Sequence, residues 1–124
     1  MSLHNETGKW GEKLATEFLI KKGYDIVERN WRLNHLEIDI IARHQQRIVF
    51  VEVKTRTDKS YAEPQTVISQ KKLRNLCSCA QAYMKRYNMN FEAQFDIIII
   101  TGTPENNELE FFPDAYFPPM KTYR

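Results

Sequence analysis

The chain has 124 residues and 14.8 kDa, with 42% hydrophobic, 12% aromatic and 27% charged residues; that is one domain's worth of a folded globular protein and excludes a fully disordered chain. Eighteen basic against sixteen acidic residues leave a net charge of +2, too mild to announce a nucleic-acid partner by itself, and no run approaches the ~20 apolar residues of a bilayer span. The polar start (His4, Asn5, Glu6, Lys9) lacks a secretory apolar core, and Cys77 and Cys79 are spaced wrongly for a zinc knuckle; a reduced, cytoplasmic protein without a membrane partner is expected.

Residues 1–6 read as a flexible lead. Residues 7–22 predict a helix, because Trp10, Leu14 and Phe18 recur at every fourth position with Ala15 and Leu19 beside them. Asn5 or Thr7 suits its cap and Gly23 its stop. Glu12 falls at the edge of the apolar stripe, between core and water. Residues 24–31 predict a first strand. Residues 36–42 (LEIDIIA) and 47–54 (RIVFVEVK) predict a hairpin turning at Arg43 to Gln46. Residues 69–88 predict a second helix, with Leu73, Leu76, Cys77, Ala80, Tyr83, Met84 and Tyr87 on one face, a core or dimer stripe. Residues 95–101 (FDIIIIT) form a β-branched run suited to a strand buried on both faces. A short last strand follows at 109–112, then an irregular tail over 113–124. The expectation is a single α/β domain, order α-β-β-β-α-β-β, with a mixed sheet flanked by helices.

Side chains alternate along strands, so Glu52 and Lys54 share one face of the third strand, opposite Val49, Val51 and Val53. That valine face is expected to be the more deeply buried. Hairpin partners sum to about 89 or 91, which sets Asp39 across from Phe50 or Glu52. One sheet face then carries Asp39, Glu52 and Lys54. Two carboxylates on rigid neighbouring strands can grip a hard cation such as Mg²⁺ or Mn²⁺, which prefers oxygen. Such an ion polarises a phosphate and acidifies a bound water. A lysine beside it can hold the water or steady the transition state, and Glu12 can complete the carboxylate set. The plainer reading is a solvated sheet face, on which Asp, Glu and Lys are common.

The pattern also carries a resemblance. Gly8-Lys9-Trp10-Gly11-Glu12, Arg29-Asn30-Trp31-Arg32, Glu37-Ile38-Asp39-Ile40-Ile41-Ala42 and Val49-Phe50-Val51-Glu52-Val53-Lys54-Thr55-Arg56 resemble the YraN-like family of small bacterial proteins of uncharacterised role. That family is similar to the archaeal Holliday junction resolvases, within the restriction-endonuclease-like PD-(D/E)XK superfamily. The resemblance spans nearly the whole chain and reaches Lys72. It implies a restriction-endonuclease-like fold, with Asp39, Glu52 and Lys54 on the catalytic motif and Glu12 as the carboxylate of the first helix. It further implies a metal-dependent endonuclease for branched DNA, working with Mg²⁺ or Mn²⁺ on Asp39, Glu52 and Glu12. Two departures stand out: Leu36 where the family usually has glycine, and Gln94 where it usually has arginine.

Arg56, Lys71, Lys72 and Arg74 are the candidate DNA contacts. The last three crowd the start of the second helix, where a helix N-terminus favours phosphate. Glu37 reads as a supporting residue, Asp96 as a hydrogen-bond anchor, and all three histidines as surface residues. The Phe111-Phe112 pair and the Tyr116 to Met120 segment either form a homodimer contact or cover the chain's own core. A non-catalytic nucleic-acid-binding or assembly module on the same fold is the alternative to the nuclease.

Overall fold

The computed structural model describes residues 3–58 and 68–115, with side chains from residue 9 onward. Its elements are α1 (Leu3–Lys21), β1 (Asp25–Leu33), β2 (Leu36–His44), β3 (Arg47–Arg56), α2 (Gln70–Arg86), β4 (Glu92–Gly102) and β5 (Asn107–Phe112). The order is the expected one. Helix α1 begins earlier than its apolar spacing suggests, because Leu3 to Thr7 contain neither glycine nor proline to stop it. Residues 3–6 are therefore helical, and Asn5 and Thr7 lie within α1 instead of capping it.

The end of α1 is set by Gly23. Its φ of 94° is one that L side chains rarely adopt. Gly23 N–H donates to Ile20 at 3.0 Å and Tyr24 N–H to Leu19 at 3.0 Å, the paired bonds of a Schellman stop. The turn swings Tyr24 under the helix and launches β1.

The five strands lie in sequence order, β1-β2-β3-β4-β5. Only β3 and β4 run parallel, joined through α2; the other neighbours are antiparallel. The β2–β3 hairpin takes the register summing to 91, from His44↔Arg47 to Ile40↔Val51, and its ladder stops there. Beyond that rung β2 stays with β1 as far as Leu33↔Leu36, while β3 stays with β4 as far as Arg56↔Thr101. The sheet therefore forks at Asp39 and Glu52.

Both faces of the sheet are covered. On one side α1 supplies Ala15 and Leu19 against Ile40, Val49, Val51, Ile98 and Ile100. On the other, α2 supplies Leu76, Ala80 and Tyr83 against Ile41, Ile48, Phe50 and Phe95. The expectation that the valine face is the deeper one does not hold: Ile48, Val49, Phe50 and Val51 are all fully buried. A central strand between two helical layers reads as a continuous apolar run, so alternation carries no inside-outside signal there. Strict alternation also fails at the fork. Ile38 packs with the α2-side core and Ile40 with the α1-side core. Opposite them, between Arg29 and Trp31, Asn30 breaks β1 with a φ of 55°.

Phe111 stacks edge-on against Phe18 at 5.1 Å, and Phe112 packs with Ile68, Leu73, Ile97 and Ile99. Both phenylalanines thus cover the chain's own core, while Tyr116 to Met120 lie outside the described residues. Cys77 and Cys79 are buried thiols within α2. His35 is exposed, but His44 is half-buried and stacks on Tyr24 at 4.1 Å, contrary to the surface placement expected of it. No helix of the described residues is long and apolar enough to cross a membrane.

Candidate metal and nucleic-acid site

At the fork the two strand carboxylates enter the protein interior. Asp39 and Glu52 are 8% and 4% exposed. An ionised carboxylate so placed needs partners. Asp39 Oδ2 finds one in the Val53 N–H, at 2.9 Å. Glu52 Oε2 lies 3.4 Å from Lys72 Nζ, and Glu52 Oε1 is buried with no hydrogen-bond partner among the described residues. Such an orphaned oxygen is costly in a native interior and calls for a specific explanation.

The electrostatics follow from burial. Desolvation is the largest effect on both groups and pushes both carboxyl pKa values up. Their acidic neighbours add to it: Asp39 for Glu52, Glu12 for Asp39, and Glu37 for both. The Lys72 ammonium opposes the rise at both carboxylates. Lys72 in turn is raised, chiefly by Glu52.

Glu12, on α1, is near enough for its charge to add to the rise at Asp39. Desolvation raises its pKa, a hydrogen bond from the Asn30 side chain opposes this, and Arg29 Nη2 stands 3.8 Å away. The helix comes this close because residue 11 is glycine: a Cβ there would collide with the Thr55 hydroxyl of β3. Glu37, at the mouth, pairs with Arg32 at 3.5 Å. Among the described residues no three Asp, Glu, His or Cys side chains form a ready-made metal cage. Glu12 therefore approaches the strand pair without closing a three-carboxylate set.

The basic residues divide. Lys54 is exposed, two residues beyond Glu52 on β3. Lys71 and Arg74 are exposed on the first turns of α2, as a DNA contact requires. Lys72 is not simply one of that row, because its ammonium is on Glu52. Its backbone N–H is held by Ser69 Oγ at 3.1 Å, which fixes the helix start beside the fork. Arg56 is turned into the protein instead: its Nε donates to Thr101 Oγ1 at 3.0 Å and its guanidinium meets Glu110 at 3.5 Å, with 16% of the side chain exposed. Sequence spacing missed this because β5, which carries Glu110, reaches β3 only across β4. It also missed Lys72, Arg29 and Asn30 as neighbours of the carboxylates; charge complementarity along the Arg29 to Arg32 segment was the available signal.

Gln94 and Asp96 lie on β4 beside Val49 and Val51 of β3, Asp96 one rung before Glu52↔Ile97. Asp96, fully buried, accepts from Tyr24 OH at 3.0 Å, Gln94 Nε2 at 2.9 Å and Asp114 N–H at 2.8 Å. It is the hydrogen-bond anchor expected. Gln94 Oε1 takes Arg47 Nη1 at 3.1 Å. Because Gln94 pairs with Val49, three residues before Glu52, its replacement of arginine falls outside the fork.

A mixed five-stranded sheet between two helices, with this element order, is a restriction-endonuclease-like α/β arrangement. The chain belongs to Uncharacterised protein family UPF0102, whose model matches residues 11–100. It is 38% identical over 120 residues to a UPF0102 protein of Bacteroides thetaiotaomicron, covering 97% of this chain and 99% of the relative. A UPF0102 protein of Flavobacterium psychrophilum is 39% identical over 117 residues, covering 94% of this chain and 98% of the relative. One from Parabacteroides distasonis is 31% identical over 121 residues, covering 98% and 100%.

Proposed function

We propose that this protein is a divalent-cation-dependent endonuclease that hydrolyses DNA phosphodiesters, with branched DNA as its substrate class. The observation that carries the reading is the orphaned Glu52 Oε1 beside the buried Asp39. Two desolvated acids at a fork in a sheet are a poor device for stability. As oxygen donors for a hard cation they are well chosen, since such an ion needs only one or two protein carboxylates and keeps its waters for phosphate and nucleophile. Asp39 and Glu52 would hold Mg²⁺ or Mn²⁺, with Glu12 supporting from α1. When bound, the ion supplies charge neutralisation at the phosphate and a more acidic water.

The chain's own groups complete the arrangement. The Val53 N–H orients Asp39. Lys54, exposed beside the fork, orients the attacking water and stabilises charge as it develops on the phosphate. Lys71 and Arg74 bind flanking phosphates from the α2 surface and set position, not sequence. Arg56 is left out of this set because Thr101 and Glu110 hold it. Cutting both strands of a junction needs two sites, which a symmetric homodimer supplies.

The test is to incubate the purified protein with Mg²⁺ or Mn²⁺ and linear, flapped and four-way DNA. Cleavage of a branched form that disappears on chelation and in Asp39→Asn supports the reading. Binding without cleavage of any substrate would favour the non-catalytic module instead.

A further inference from the structure

Among the described residues Glu52 is held at one oxygen: Lys72 Nζ stands 3.4 Å from Oε2, and Oε1 has no partner there. The two side chains differ sharply in exposure, 51% for Lys72 against 5% for Glu52, so the ammonium stands between the buried acid and solvent. The backbone N–H of Lys72 donates to the Ser69 cap at 3.1 Å, which ties this residue into the first turn of α2. Its side chain is a compact charge on a flexible four-carbon stem. Asp39 feels the same ammonium. A cation arriving at the two carboxylates meets a lysine already there, and two positive charges on one carboxylate repel.

Building on the metal-site reading above, we propose that Lys72 is an exchangeable counter-ion: it neutralises Glu52 in the metal-free protein and cedes that carboxylate to an incoming divalent cation, its ammonium moving outward to a phosphate. Lys72 is thus a positioning residue, distinct from Lys71 and Arg74, whose charges are open to solvent throughout. The device keeps a buried acid neutralised before loading, and makes metal uptake and anion binding mutually supportive, because each vacates or fills the place of the other.

The test compares wild type, Lys72→Met, Lys72→Arg, Glu52→Gln and the Glu52→Gln/Lys72→Met double variant, by calorimetric Mn²⁺ titration and by thermal melts without metal. Lys72→Met preserves bulk and removes the competing charge. It is expected to bind Mn²⁺ at least threefold more tightly than wild type, with Lys72→Arg restored to the wild-type affinity. Without metal, Lys72→Met should melt several degrees below wild type, whereas the same change in the Glu52→Gln background should shift the melt little. Mn²⁺ binding by wild type with equal or weaker binding by Lys72→Met overturns the exchange and leaves the metal site standing. Binding by none of the proteins overturns the metal site and the exchange together. Equal melting shifts in both backgrounds overturn the Lys72–Glu52 pairing itself.

Discussion

Asp39 Oδ2 accepts the backbone N–H of Val53 at 2.9 Å, just beyond the last β2–β3 rung, Ile40↔Val51. The side chain of one strand thereby ties the other strand's backbone across the opening of the fork. This bond keeps the Asp39 carboxylate inside the sheet, next to Glu52, in surroundings that oppose its charge.

Desolvation holds the pKa values of both carboxyls above the ordinary range. The folded state therefore binds protons that the unfolded chain has already lost. Stability is fully present below the unfolded-state pKa of about 4 and falls as pH rises through the raised values. Thermal melts of metal-free protein between pH 5 and 8, values chosen to span about one to four units above that pKa, should show Tm decreasing with pH, and saturating Mn²⁺ should flatten the trend. A Tm that rises across this window would contradict the burial of the pair.

Asp39→Asn keeps an oxygen for the Val53 N–H and removes the buried charge. It should raise the metal-free stability by about 1 kcal/mol, or roughly 3–6 °C in Tm, at neutral pH. Mn²⁺ binding by calorimetry should be lost in the same variant. A more stable but inert protein is the signature of a site kept for function.

Lys54→Ala should abolish cleavage while Mn²⁺ and DNA affinities stay near wild type, because its contribution is confined to the transition state. A loss of DNA affinity equal to the loss of rate would make Lys54 a phosphate anchor. Lys71→Ala and Arg74→Ala should instead weaken DNA binding and each lower the slope of log affinity against log salt by about 1.

Gly11→Ala should destabilise the fold by about 1–3 kcal/mol through collision with the Thr55 hydroxyl. Adding Thr55→Ala should restore most of the loss, as read by chemical denaturation. Failure of that rescue would place the cost in some contact other than the one between α1 and β3.

Asp96→Ala strands three donors, Tyr24 OH, Gln94 Nε2 and Asp114 N–H. The expected loss is about 3–6 kcal/mol, a Tm drop of roughly 10 °C or more, against about 1–2 kcal/mol for Tyr24→Phe. Metal affinity in Tyr24→Phe should be unchanged, since Tyr24 packs on the α1 side of the sheet whereas Glu52 meets Lys72 of α2.

The element order, the hairpin register class, the two apolar helical faces and the acidic pair Asp39 and Glu52 were legible in the sequence, because period, turn residues and strand alternation are local properties. The Gly23 stop was legible for the same reason. Tertiary structure alone decided the rest. It buried both faces of β3, since only the packing of α1 and α2 on opposite sides tells a central strand from a half-solvated one. It drew Arg56 inward, because Glu110 arrives from β5 at the far side of β4. It covered Phe111 and Phe112 with the chain's own core. It separated Lys72 from its neighbours Lys71 and Arg74, because helical spacing turns successive side chains about 100° apart and only the docking of α2 against the fork selects which one meets Glu52.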